Sequence, residues 1–465
     1  MFNLNRGVVI TLCIGFLVLG GSGHFSQTLA QGGGVNLVYD QFDPLVIPVD
    51  RVDPVRYQVK VSGRPSRVVL QLETASGSRD LNMQDNGTHG DQLAGDGVYT
   101  TLIPAKDITG RLQENDVYRP FVGFVALFEG QTQALRGNVF AEVITDDIFR
   151  PAITQLAPDV QATDYLVNIA DARLANSLER GALELPTQRF YEIFSDDYDF
   201  LNVISSRSFF QNRFHLAVKN DVFGIGQDLF DNSAVYHSDG RLMGITMFPK
   251  TNFFDGAQAS YQHELAHQWI MFVDAPPFSQ GIPHWPLSSM ASGTMGWSNP
   301  FNGQGQEFPC VLVAQGDQVR LLPRNEPLAF NDMDLYLMGL LPPEQVAPQF
   351  VLADQDADHA FAQCDGRVYE GELIPVGAQD IVNAKGPRFP PAQSAPHRFK
   401  IATVIVSPQG LLSEEAMALY SFFAQRAELR QEVQFSEGFS QGIAKPFFLS
   451  TRELGSLDAC MHDAC

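Results

Sequence analysis

The sequence predicts a multidomain chain in which an all-β N-terminal sandwich precedes a larger α+β unit. Three observations carry that expectation. Short β-branched and aromatic runs, separated by Gly, Asp, Pro and Ser, recur through residues 35–148, the pattern of strands rather than helices. With Met247 and its neighbours expected at the sheet's edge, and His215 and His237 as structural histidines, further strand-like runs follow at residues 199–205, 213–218, 235–237 and 242–248. They lead into residues 255–272, where Asp255 is a suitable N-cap and no helix breaker intervenes before Phe272. Strands grouped around one such helix predict an α+β layer arrangement.

The 465 residues suggest about three domains. A hydrophobic share of 45% supplies enough apolar surface to exclude wholesale disorder. The formal charge of −22, from 31 basic and 53 acidic residues, argues against nucleic acid or an anionic membrane surface as a partner. Residues 1–30 read as an export leader: Arg6 gives a positive start, residues 8–19 are apolar, and Thr28-Leu29-Ala30 offers a cleavage site after Ala30. The apolar run is too short to span a bilayer comfortably, and no later stretch reaches membrane-helix length. The mature chain is therefore expected outside the cytoplasm, secreted or periplasmic, with its oligomeric state open. Cys13 leaves with the leader, so Cys310, Cys364, Cys460 and Cys465 remain. An even count in an oxidising compartment favours two disulfides in one of three connectivities, one of which joins Cys310 to Cys364 and Cys460 to Cys465. The expected units are the leader (1–30), the sandwich (31–150), a catalytic unit (151–345) and a subdomain that completes it (346–465).

Within 31–150, six short strand-like runs at sandwich spacing suggest an immunoglobulin-like topology. Between two of them, residues 84–98 form a Gly- and Asp-rich phrase containing Asp85, Asp91 and Asp96. The phrase resembles an element of extracellular bacterial immunoglobulin-like modules. Its three carboxylates can converge on Ca²⁺, or they can cap their own tight turns.

The chemistry is concentrated in His263-Glu264-Leu265-Ala266-His267. Histidines four apart on a helix project from one face and can grip one Zn²⁺, while Glu264 sits beside the first and can act on a water. Two histidines and a glutamate on an otherwise apolar helix are expensive to bury without such a task. A third protein ligand is needed. The compact HExxHxxGxxH form is excluded, because Val273 and Ile270 occupy its ligand and glycine positions. His284 can reach the site across the loop 273–283, and Met290 or Met295 can supply a methionine turn beneath the metal. Asp334, on an expected helix over 331–339, is the alternative: a ligand, or a partner that orients a ligand histidine, with Tyr336 donating to an oxyanion.

The HELAHQW segment, the His284-Trp285 pair, the Gly293-Thr294-Met295 turn and residues 334–346 (DLYLMGLLPPEQV) together resemble secreted bacterial zinc metallopeptidases of the zincin superfamily. The likeness covers about residues 190–350. It implies a zincin-like catalytic unit, metzincin-like with a long insertion before the third ligand. It further implies His263, His267 and His284 as zinc ligands, Glu264 as the acid/base, and a protein or peptide substrate. A reading from another class stands beside it: an adhesive or binding protein whose zincin-like unit holds zinc without turnover.

Overall fold

The computed structural model describes residues 34–74, 77–112, 121–146, 148–174, 182–209, 213–248, 250, 259–270, 272–296, 310–316, 318–323, 328–355, 364, 366–431 and 445–461. The leader, Asp255 and Cys465 lie outside the described residues. The architecture is multidomain and mostly β, built from several separate sheets.

Two four-stranded antiparallel sheets make the N-terminal unit. One runs in the order Ser208–Phe209, Asn36–Asp43, Val55–Ser62, Val98–Ile103, and the other Gly77–Asn82, Arg67–Thr74, Phe121–Glu129, Thr132–Phe140. Val55–Ser62 alternates between buried residues and half-buried or exposed ones, the period of a strand with one face inward. Val55, Tyr57, Val59 and Val61 from the first sheet share one core with Leu70, Leu72, Val125 and Val139 from the second, so the unit is a sandwich. Its first sheet is completed from elsewhere in the chain, since Tyr39 and Asp40 pair with Phe209 and Ser208.

The larger unit is organised on a mixed eight-stranded sheet. Its path runs Thr154–Ala157, Val160–Ala162, Leu166–Ala170, Arg398–Ser407, Phe200–Ser205, Gly244–Phe248, Phe214–Ala217, and Ser456–Asp458 pairs with Arg398–Ser407 off that path. The four central strands are mutually parallel and covered on both faces, which explains their nearly uninterrupted apolar character. Phe200 and Ile204 face a core that includes Leu265, Trp269 and Tyr420; Leu201 and Val203 face a second core with Phe190 and Tyr198. Arg398–Ser407 lies between Leu166–Ala170 and Phe200–Ser205, so the C-terminal segment is part of the central sheet.

Three local expectations are corrected. The helix expected to reach Phe272 is observed as Ala259–Ala266. Beyond it the amides of His267, Gln268 and Trp269 bond to carbonyls three residues back, at 3.0–3.1 Å, the tightened turn that ends many helices. Residues 235–237, expected as strand, form part of a 3₁₀ turn over Ser233–Tyr236 with His237 at φ 59°. Gly244–Phe248, expected as the edge of the sheet, is flanked on both sides, and Phe214–Ala217 occupies the edge, antiparallel to it. The edge position follows chain pairing, which hydropathy does not encode. Elsewhere the expected helix over 331–339 is Asp332–Met338. Ser413 accepts from Ala416 N–H at the start of Glu414–Gln425.

Candidate metal centre

His263 lies on the helix Ala259–Ala266 and His267 just past its end. That segment is fastened to the sheet by Leu265, Ala266, Trp269 and Ile270. Trp269 is 1% exposed and packs edge-on against Phe200, with ring centroids 5.8 Å apart. The far end is held by Gln268, whose amide donates to the Lys219 carbonyl at 2.7 Å and whose Oε1 lies 2.9 Å from His215 Nε2.

His284 arrives on a separate loop. Its amide donates to the Gly281 carbonyl at 2.6 Å, and a Cβ at Gly281 would lie 2.1 Å from Pro286 N, so only glycine permits this closure. The following residues are sewn to the strand Gln349–Leu352 through Leu352 N–H to Leu287 O at 3.0 Å. Trp285 Nε1 donates to Asp334 Oδ1 at 2.6 Å.

These elements bring one ligand atom each from His263, His267 and His284 within 4.8 Å of one another. His263 Nε2 and His284 Nε2 are 3.1 Å apart. Nδ1 of His263 lies 2.7 Å from the Thr294 carbonyl oxygen, and Nδ1 of His267 lies 3.1 Å from that of Ile270. A carbonyl only accepts, so in both rings Nδ1 carries the hydrogen and Nε2 keeps its lone pair. Two nitrogens bound to one tetrahedral ion at about 2.0–2.1 Å stand roughly 3.3 Å apart, close to the observed spacing. Burial, followed by repulsion from the neighbouring rings, holds His263 and His284 well below the ordinary histidine range. His267 is lowered too, by burial, against the opposing charge of Glu264. Neutral imidazole is the ligand form. The trio can hold a metal ion.

Glu264 is buried beside the trio, and its Oε1 accepts from Arg213 Nε at 2.6 Å. Met295 and Met290 are both buried near these elements, in the core shared with Leu265 and Trp269.

The alternatives resolve differently. Asp334 has both oxygens engaged, Oδ1 by Trp285 and Oδ2 by the Asn331 amide at 3.0 Å. Burial pushes its carboxyl up to about 7 against those hydrogen bonds. It completes a capping box with Asn331 and holds Trp285, the residue next to His284. Tyr336 is 2% exposed; burial raises its hydroxyl, and the neighbour acting on it is Arg388, with no histidine of the trio involved.

Asp85, Asp91 and Asp96 do converge within 4.8 Å. Their oxygens accept from the loop's own amides: Asp85 from Gly95 and Gly97, Asp91 from Gly87 and Leu93, Asp96 from Val98. That is turn capping. Sequence reasoning missed Arg213 and the carbonyls of Thr294 and Ile270. A cation opening an apolar strand was the one signal for the first; backbone acceptors leave none.

No family model matches this chain, and no curated protein does. Among solved structures, Cwp6 from Clostridium difficile is matched at 8% identity and a TM-score of 0.16. The match takes in 37% of this chain and 25% of that one, too shallow to show a shared fold. The Cys310–Cys364 disulfide is formed and Cys460 is disulfide-bonded as well, which is compatible with an extracellular location. Among the described residues no helix is long and apolar enough to cross a membrane.

Proposed function

We propose that this chain is an exported zinc endopeptidase, with a zincin-like catalytic unit behind an immunoglobulin-like module. The observation that carries the reading is the convergence of three neutral histidines, His263 and His284 buried and His267 half-buried, with buried Glu264 at their side. Three nitrogen ligands with a fourth position left for water or substrate are the donor set of catalytic zinc. When bound, zinc lowers the pKa of a coordinated water to about 7 and polarises a carbonyl. Glu264 takes a proton from the attacking water and later delivers it to the leaving amine. Thr294 and Ile270 hold the two helix histidines in the ligand tautomer. Asp334 and Trp285 steady the loop of His284.

A peptide substrate is supported by the strand Phe214–Ala217, which pairs on one side with Gly244–Phe248 and has no strand on the other among the described residues. Such an edge can accept an extended peptide as an added strand. Arg213, bonded to Glu264, stands at the start of this strand, so the edge and the metal centre adjoin.

The test is hydrolysis of casein by wild type and Glu264→Gln, both loaded with zinc. The substitution should leave zinc stoichiometry unchanged and lower kcat by at least about a hundredfold. Full activity in the variant would sink the mechanism. A zinc-loaded wild type inert on denatured proteins favours the adhesive or binding reading instead.

A further inference from the structure

Arg213 and Glu264 come from elements 51 residues apart, yet their side chains are only 2% and 5% exposed and meet at 2.6 Å. Burying such a pair costs desolvation that the contact barely offsets, so a purely stabilising account is weak. The geometry is also one-sided. Arg213 Nε holds Oε1 alone, and among the described residues no hydrogen bond reaches Oε2. Arg213 is itself aimed by its strand. His215, two residues on, is wedged between Thr246 Oγ1 at 3.2 Å and Gln268 Oε1 at 2.9 Å. Gly244 makes room for it, since a Cβ there would lie 2.4 Å from the His215 ring. The same Gln268 follows His267 directly, so one network sets the register of Arg213 against the metal-binding segment.

We infer that Arg213 is a positioning residue for Glu264: it clamps one carboxylate oxygen and leaves the other to move the proton. The inference rests on the zinc peptidase reading and deepens it. A carboxylate next to a dication tends to bind it, and a glutamate spent as a ligand is lost as a base. With Oε1 held by a guanidinium, Glu264 cannot swing onto the ion. Oε2 then takes the water's proton as its oxygen bonds to the carbonyl carbon. The proton passes to the amide nitrogen as the C–N bond breaks, releasing an acid and an amine.

The experiment compares wild type, Arg213→Met, Arg213→Lys and Arg213→Met/Glu264→Gln, each loaded with cobalt(II) as a spectroscopic substitute for zinc and, in parallel, with zinc. Arg213→Met should bind one ion per chain, lose at least about tenfold in kcat and change KM by less than about threefold. Its cobalt absorption should weaken as Glu264 becomes an added ligand, and the double variant should restore the wild-type spectrum. Arg213→Lys, which keeps a charged donor, should recover the wild-type spectrum and part of kcat. A metal-loaded Arg213→Met with unchanged kcat and unchanged spectrum overturns the inference. If that variant fails to fold, Arg213→Gln is judged by the same criteria. A wild type that takes up no cobalt overturns the metal centre and this inference together. One that binds cobalt but hydrolyses nothing overturns the peptidase reading alone, while the spectra still decide what Arg213 does.

Discussion

At the scale of single residues, His263 and His267 were legible because their relation is local: helical spacing alone puts them on one face. His284 was legible only as one of two choices, since nothing in its neighbourhood states where its loop lands. The structure settles its place through contacts that the sequence shows only as isolated residues, such as Gly281 against Pro286 and Trp285 against Asp334. Two substitutions separate ligand from loop. His284→Ala should abolish stoichiometric metal retention after dialysis, because two histidines remain where three converged. Gly281→Ala should weaken retention while leaving all three imidazoles present, because the added methyl meets the Pro286 backbone and displaces the loop. Metal analysis of the two proteins checks both, and full retention by either removes the role given to that residue.

Among the elements, the helix and the edge strand depend on each other. The segment after Ala266 tightens into a turn, and that turn places Gln268 where it grips His215 on Phe214–Ala217. His215 was an unplaced histidine in the sequence, expected to be structural, and its bonds to Thr246 and Gln268 give it that role. Burial depresses it from the ordinary 6.5 to about 4. The sign follows from linkage: the folded chain favours neutral His215, so between about pH 6.5 and 4 the unfolded chain binds more protons. Its contribution is present above pH 6.5 and lost as pH falls through that window. The loss is no more than about 3 kcal/mol for a shift of this size in a half-buried ring. Urea midpoints measured at pH 7 and pH 5 should fall more steeply for wild type than for His215→Gln; equal slopes would show that His215 charges freely. The strand–helix alternation was readable from the sequence, but which strand became the edge was not, because register and neighbour are set by pairing between distant segments.

On the scale of the whole molecule, the two units are not joined as beads on a linker. Val46, Ile144 and Ile148, from the N-terminal part of the chain, lie in the same core as Trp269 and Tyr420. Asn36–Asp43 borrows Ser208–Phe209 as a neighbour, and the Arg207 guanidinium sits 4.5 Å over the Tyr39 ring. Across this junction Lys250 donates to Glu142 at 3.1 Å, with both side chains at most 3% exposed. Removing one member strands a buried charge. Lys250→Met should therefore destabilise the chain by about 3–5 kcal/mol, and Lys250→Met with Glu142→Leu should recover most of it. Thermal or urea unfolding of the two variants tests this, and a double variant no better than the single would show that packing, not charge, governs the junction.

What the sequence by itself determined is whatever neighbouring residues decide. That includes the β-rich start and the apolar helix with its paired histidines and adjacent glutamate. Tertiary structure alone decided the rest: the meeting of His284 with His263 and His267, Phe214–Ala217 as the edge, Arg398–Ser407 in the middle of the sheet, and Arg213 against Glu264. Each of these joins segments far apart in the chain. Their energies come from burial and pairing between surfaces that meet only after folding, so no local pattern of residues records them.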